Sequence, residues 1–152
     1  MVLKLFNVVQ PHIALFGKKD YQQLMLIRAM TRQFALPIQI IAGDTVRAAD
    51  GLALSSRNGY LNAAERAKAI ELYQTLRALA QSLQTGNRNI AELEATSKKN
   101  LDNNQWITDY VAVRKQSDLQ SPTPTDRELV ILAAARLGNT RLIDNLEVSL
   151  LA

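Results

Sequence analysis

Two short stretches of this chain combine residue types that could do chemistry on an anion: Gly17-Lys-Lys-Asp20 and Ser55-Ser-Arg57. The first closes an apolar run, Ile13-Ala-Leu-Phe-Gly17, and opens a helical pattern. Glycine there allows close backbone approach, the N–H groups of a helix start face an anion, and lysine adds charge. Asp20 also fits an N-cap, a role that needs no ligand. The second stretch belongs to Arg47-Ala-Ala-Asp50-Gly-Leu-Ala-Leu-Ser55-Ser-Arg-Asn58. Its two hydroxyls and guanidinium offer short donors and a planar fork to phosphate oxygens, and Gly51 permits the turn that presents them. A helix-capping serine pair in a connector is the alternative reading of Ser55 and Ser56.

Charge is distributed in a way that supports an anionic ligand near these stretches. Of the net charge of +4, residues 1–57 supply all of it: Lys4, Lys18, Lys19, Arg28, Arg32, Arg47 and Arg57 stand against Asp20, Asp44 and Asp50. The remainder is neutral. Such an excess fits a nucleotide, a phosphate or a nucleic acid, and also chance surface charge. The eight aromatic residues are scattered, and neither a helix-turn-helix nor an RNA-recognition signature is present, which argues against nucleic acid. The absence of cysteine removes disulfides and thiolate metal sites, and one histidine cannot form a zinc centre alone. No apolar run approaches the length of a membrane span, and nothing resembles an export signal, so a cytoplasmic location is expected.

The elements that must position these residues follow from periodicity. Leu3 to Val9 reads as the tail of an amphipathic helix ending before Pro11. Ile13–Gly17, a helix over Asp20–Phe34 and the run Ile38–Ala42 form a strand–helix–strand unit, the building block of a parallel sheet. Two strands make a poor parallel sheet by themselves, so a piece of the sheet is expected to be missing, which implies an exposed edge, a mobile segment or repair by pairing with another copy. From Asn62 the pattern changes. Asn62 and Glu65 form a capping-box signature ahead of the stripe Ala69, Leu72, Tyr73, Leu76, Leu79, Ala80 and Leu83, which Gly86 ends. A second helix starts at Asn89. Three strands then follow, Ile107–Arg114, Leu129–Arg136 and Arg141–Glu147, the last two joined by Leu137-Gly-Asn-Thr140, a hairpin signal.

Gly17-Lys-Lys-Asp-Tyr-Gln-Gln-Leu24 with Leu26-Ile-Arg28 resembles the GxKDxQQ segment of the pantothenate synthetases, the pantoate–beta-alanine ligases. Asp50-Gly-Leu-Ala-Leu-Ser-Ser-Arg-Asn58 resembles their DGLAxSSRN loop, in the same order. The resemblance extends to Leu5-Phe-Asn-Val-Val-Gln-Pro11 and Gly138-Asn-Thr-Arg-Leu-Ile-Asp-Asn145, and so to nearly the whole chain. It implies an α/β fold: part of a Rossmann-like nucleotidyltransferase domain over residues 1–57 and a small α+β lid domain with an antiparallel sheet over residues 58–152.

The activity implied by the resemblance is ATP-dependent ligation in pantothenate and coenzyme A biosynthesis. Pantoate attacks the alpha-phosphate to give pantoyl adenylate and pyrophosphate, and beta-alanine then displaces AMP. By position, Gly17, Lys18, Lys19 and Asp20 would contact ATP, Lys19 stabilising phosphate charge and Asp20 holding the ribose. Gln23 would bind pantoate, and Val46 would meet adenine through its backbone. Leu54, Ser55, Ser56 and Arg57 would form a phosphate loop like the KMSKS loop of class I aminoacyl-tRNA synthetases, with Arg57 a second charge stabiliser. Magnesium would arrive with ATP, and a homodimer is the implied assembly of the complete enzyme. The family's HxGH histidine pair has no counterpart: His12 is the lone histidine and matches no such motif. With a helix already under way at the start, this leads to the expectation of a portion of a longer enzyme that forms no adenylate alone. A non-catalytic nucleotide-binding module is the competing reading.

Overall fold

A computed structural model describes residues 1–150, which fall into two compact units divided between Thr45 and Val46. In the first unit, helix α1 (Val2–Val9) closes on Gln10 in the left-handed region, whose N–H donates to the Phe6 carbonyl just ahead of Pro11. Strand β1 (Ile13–Gly17), helix α2 (Tyr21–Gln33) and strand β2 (Gln39–Gly43) follow. The two strands pair in parallel, from Ile13 opposite Gln39 to Gly17 opposite Gly43. The expected strand–helix–strand unit is therefore present.

Alternation decides which face of this pair is covered. Tyr21, Leu24, Ile27 and Thr31 give α2 its buried stripe at helical spacing, and Phe6 of α1 meets Phe16 of β1 edge to face at 6.2 Å. Ile13, Leu15 and Ile41 point the other way and remain exposed, Leu15 at 71%. Strand β2 starts one residue later than the apolar run suggested. Ile38 folds its N–H back onto the Leu36 carbonyl after Pro37, and Gln39 is the first residue to bond across, to the His12 carbonyl.

In the second unit, a loop leads into a short 3₁₀ turn (Ser56–Tyr60), helices α3 (Ala63–Lys68), α4 (Glu71–Gln84) and α5 (Ile90–Asn103), and strands β3 (Trp106–Lys115), β4 (Glu128–Leu137) and β5 (Thr140–Ser149). The strands form an antiparallel sheet in the order β3-β4-β5. Each runs a residue or two beyond its expected span. The Asn62 capping box forms as its spacing requires, with Asn62 and Glu65 each accepting the other's backbone N–H. The single helix expected after it is instead two. Ala69 and Ile70 keep right-handed helical angles between α3 and α4, and Ala69 is fully buried there.

Helices α4 and α5 cover one face of the sheet. Leu72, Leu76, Leu79 and Leu83 of α4 and Leu101 of α5 meet Trp106, Val113, Ile131, Ala133, Leu142 and Val148 in one continuous core. Truncating a fully buried leucine such as Leu76 removes about 2–5 kcal/mol in cores of this kind. The open edge of the sheet at β3 is closed by side chains rather than by another strand. Glu94, Lys98 and Asp102 lie four residues apart on α5: Glu94 accepts the Val113 N–H at 2.7 Å, Asp102 accepts the Thr108 N–H at 2.9 Å, and Lys98 donates to the Thr108 carbonyl. That row satisfies main-chain groups that would otherwise template pairing with another chain.

Candidate functional site

In the first unit, the turn after β1 carries the lysine cluster. The Lys18 N–H donates to the Gly43 carbonyl at 2.8 Å, so strand pairing extends one residue past Gly17 and fixes where the turn begins. The Lys18 ammonium meets Asp44 at 2.9 Å. Around Gly17 the space a Cβ would occupy is open to 4 Å, leaving room for an incoming group beside the backbone. Lys19 follows, half-buried. Asp20 sits at the N-cap of α2, yet its carboxylate makes no cap bond. The capping role that would have explained Asp20 without a ligand is not taken up. Gln23, in the first turn of α2, borders a mainly apolar cavity of about 400 Å³ with Val2, Leu26, Ile27 and Met30. His12 lies before β1, exposed, and contributes its carbonyl to the sheet.

The second cluster is organised around Arg47. Residues 46–54 fold back on themselves: Leu54 donates to the Val46 carbonyl and Ala48 to that of Leu52, both at 2.9 Å. Arg47 and Ala53 thereby face each other as an isolated antiparallel bridge. The Arg47 guanidinium grips the Asp144 carboxylate through both terminal nitrogens, at 2.7 and 2.9 Å, and donates to the carbonyls of Asn145 and Gly51. It also stacks 3.7 Å from the centre of the Tyr73 ring on α4. Asp144 projects from β5 on the same face as Leu142 and Val148, so its charge enters the core side of the sheet and needs a bidentate partner there.

Gly51 completes this anchor. Its φ of +96° is a backbone region that side-chain-bearing residues rarely adopt, and a Cβ would lie 2.8 Å from a Tyr73 ring carbon. Asp50 beside it accepts the Leu52 N–H at 3.1 Å and meets Arg66 of α3 at 2.7 Å. The hydrogen bond from Arg66, helped by that from Leu52, holds the Asp50 carboxyl below the usual carboxylate range. Leu52 and Ala53 are buried as the base of the loop.

From that base the chain rises to the residues of interest. Val46 and Leu54 are exposed apolar positions, their backbones joined to each other. Ser55 is the N-cap of the 3₁₀ turn, its hydroxyl oxygen accepting the Arg57 N–H at 3.2 Å. The capping alternative thus describes Ser55 and leaves Ser56, whose hydroxyl is exposed together with the Arg57 side chain. Asn58 tethers the turn from below, its amide donating to the Ala53 carbonyl at 3.1 Å. The loop therefore presents a hydroxyl and a guanidinium on a braced backbone, chemistry suited to phosphate oxygens.

Sequence reasoning missed the bracing residues. Arg47, Asp144 and Asn145 stood within the motifs but carried no role, and Tyr73 read only as part of a helical stripe. One signal could have found Asp144. It occupies an inward position of a strand whose neighbours on that face, Leu142 and Val148, are apolar, and an inward carboxylate implies a buried cation.

Comparison with known proteins bears on what these residues serve. The family model described as pantoate-beta-alanine ligase matches residues 1–147. The chain is 57% identical over 149 residues to the pantothenate synthetase of Nitrosospira multiformis, covering 98% of this chain and 53% of that protein. It is 55% identical to that of Methylobacillus flagellatus, over 98% of this chain and 54% of that one. Among solved structures, the pantothenate synthetase of Thermus thermophilus superposes with a TM-score of 0.90 at 39% identity, over 97% of this chain and 54% of that chain. The pantoate-beta-alanine ligase of Francisella tularensis, solved with beta-gamma ATP and beta-alanine, gives 0.68 at 31% identity, over 95% of this chain and 47% of that one. The chain spans about half the length of the curated relatives it matches.

Proposed function

The chain belongs to the pantoate-beta-alanine ligase family, and from that premise we propose that it carries the phosphate-binding part of an ATP-dependent ligase that joins pantoate to beta-alanine through a pantoyl adenylate. The observation that carries this reading is the braced loop: Arg47 fixed on Asp144 beneath, Ser56 and Arg57 presented above. In-line attack on a phosphorus needs positioning and charge stabilisation more than covalent help, so a rigid loop with a hydroxyl and a guanidinium suits the work.

Within this proposal Lys19 and Arg57 face the negative charge that builds on the phosphates, and neither is a proton donor to the reacting atoms. Gly17 and Lys18 line the nucleotide, and Asp20 holds the ribose with a carboxylate that no helix cap engages. Val46 offers adenine its backbone N–H, its carbonyl being bonded to Leu54. Leu54 and Ser55 belong with Ser56 and Arg57 to the phosphate-binding loop, Ser55 also capping its turn, and Gln23 takes pantoate. The functional division at residue 57 belongs to the same proposal, with the following residues acting as a lid.

Magnesium would come with ATP. Among the described residues there is no group of three or more His, Cys, Asp or Glu that could hold a metal ion; phosphate oxygens and water are the proposed ligands of the magnesium. No helix among the described residues is long and apolar enough to cross a membrane; the cytoplasmic location is part of the proposal. Homodimerisation belongs to the proposal for the complete enzyme.

With His12 as its lone histidine, the chain by itself is proposed to bind nucleotide without forming the adenylate. Titration calorimetry with ATP tests the binding role. Saturable binding that weakens about tenfold or more in Arg57→Ala supports it, the loss expected for one charge-assisted hydrogen-bond pair. Equal affinity in wild type and Arg57→Ala would remove the loop from the nucleotide site. Pantoate-dependent pyrophosphate release by this chain alone would overturn the division of labour.

A further inference from the structure

The segment Gly138–Asn145 matches the family's pattern, yet the reading above uses none of its outer residues. The β4–β5 hairpin turns through Gly138 and Asn139, with Leu137 opposite Thr140 and Gly138 at a φ of +56°. This two-residue loop, with glycine first at positive φ, aims the start of β5 at the 3₁₀ turn that carries Arg57. Arg57 and Tyr60 from that turn, with Asn139, Thr140 and Arg141 from the hairpin, line an open cavity of about 410 Å³.

Arg141 is held in one orientation by an ion pair. Its Nε donates to Asp109 at 2.6 Å. Asp109 lies where the β3–β4 register shifts between Thr108 and Tyr110, and a bulge of this kind re-aims a side chain out of the regular alternation. One nitrogen of the guanidinium is thus fixed by a carboxylate, which orients the plane, while its terminal amino groups have no recorded partner among the described residues. Arg57 is likewise without a recorded side-chain partner there. Two guanidinium forks, a phenol and an amide around one cavity suit an anion with many oxygens. The volume lies in the range of small-ligand pockets, about 300–1,000 Å³, and has room for more than one phosphate.

We propose that this cavity binds a diphosphate group, with Arg141 of the β4–β5 hairpin as a second cation opposite Arg57. The inference rests on the nucleotide reading above and extends it: the polyphosphate end of ATP, and the pyrophosphate it releases, lie between the phosphate loop and the hairpin.

The test titrates the intact chain with inorganic pyrophosphate and, separately, orthophosphate, in wild type, Arg141→Ala, Arg141→Lys and Arg136→Ala. Arg136 is the cross-strand neighbour of Arg141 and does not line the cavity, so its removal controls for net charge. Circular dichroism verifies folding of each variant, and Arg141→Lys retains the charge while losing the fork. The expected result is pyrophosphate bound more tightly than orthophosphate, with affinity falling about tenfold or more in Arg141→Ala and measurably in Arg141→Lys. Arg136→Ala changes it less than about twofold, as expected of an exposed charge screened by salt. Equal losses in Arg136→Ala and Arg141→Ala, or no pyrophosphate binding in wild type, would overturn the proposal. ATP binding that depends on Arg57 and not on Arg141 would sink this cavity and leave the ligase reading standing. Pyrophosphate binding that depends on Arg141, without ATP binding, would do the reverse.

Discussion

Arg47 and Asp144 are 97 residues apart in sequence and form a two-point ion pair at 2.7 and 2.9 Å, with 18% and 4% of their side chains exposed. The pair joins the start of the candidate phosphate loop to the last strand of the sheet. Its position explains how a loop of small and polar residues can be held firmly: the base is tied to β5, stacked on α4 through Tyr73, and bonded to its own turn at Gly51. The base of the loop that carries Ser56 and Arg57 is thus braced by contacts that involve neither of their side chains.

Asp144→Ala should lower the unfolding free energy by about 3–5 kcal/mol, because the Arg47 charge would remain largely buried without the carboxylate that neutralises it. Urea unfolding measures this. Replacing both partners by apolar residues, Arg47→Met with Asp144→Leu, should recover much of the loss, since an ion pair taken from water contributes little beyond an apolar pair of similar volume. ATP affinity in that double variant should stay low, because stability returns but the tie to the loop does not. Full recovery of both would make the pair a packing element only.

Gly51→Ala is expected to cost about 1–3 kcal/mol through its φ of +96°, with a further penalty from the Tyr73 ring. The two contributions separate by a double-mutant cycle with Tyr73→Ala. The clash disappears in the double variant while the backbone strain persists, so the coupling between the two sites should be favourable by about 0.5 kcal/mol or more. A coupling of zero would mean that the ring moves aside without cost.

Local signals in the sequence carried the elements, whereas the bracing depended on contacts distant in sequence. Asn62 and Glu65 announced their capping box, and the leucines of α4 announced its buried face, because both effects act within one or two helical turns. The break at Ala69 and Ile70 was hidden by an apolar stripe that continues across it. At the site, Ser55 and Ser56 have the same chemistry in sequence, and only the 3₁₀ turn distinguishes the one that caps from the one that is presented. Partners such as Arg47 with Asp144, or Arg141 with Asp109, depend on strand register and a bulge, which periodicity does not encode.

Acid should loosen the base of the loop through Asp50. Arg66 holds the Asp50 carboxyl below its unfolded value of about 3.9, so the interaction contributes stability above that pH and loses it as pH falls through the lowered folded value. Wild type should therefore melt above Asp50→Asn near neutral pH, with the gap closing in the acid range below about pH 4. Asp50 is exposed and the effect should be small. Melting temperatures of both proteins across that range decide it; a gap that persists unchanged at the acid end would assign the difference to something other than the Arg66 pair.

The two adjacent serines should separate function from stability. Ser55 accepts the Arg57 N–H and caps the turn, so Ser55→Ala should cost about 0.5–2 kcal/mol in unfolding free energy, the range for loss of a cap. Ser56 is exposed and has no recorded side-chain partner among the described residues, so Ser56→Ala should leave stability within about 0.5 kcal/mol of wild type. ATP affinity should follow the opposite order. On the proposed reading Ser56→Ala removes a donor to the nucleotide, and Ser55→Ala affects binding chiefly by loosening the turn that carries Arg57. Calorimetry with ATP alongside urea unfolding reads both axes, and a Ser56→Ala variant that binds ATP as wild type does would move the phosphate contact away from this hydroxyl.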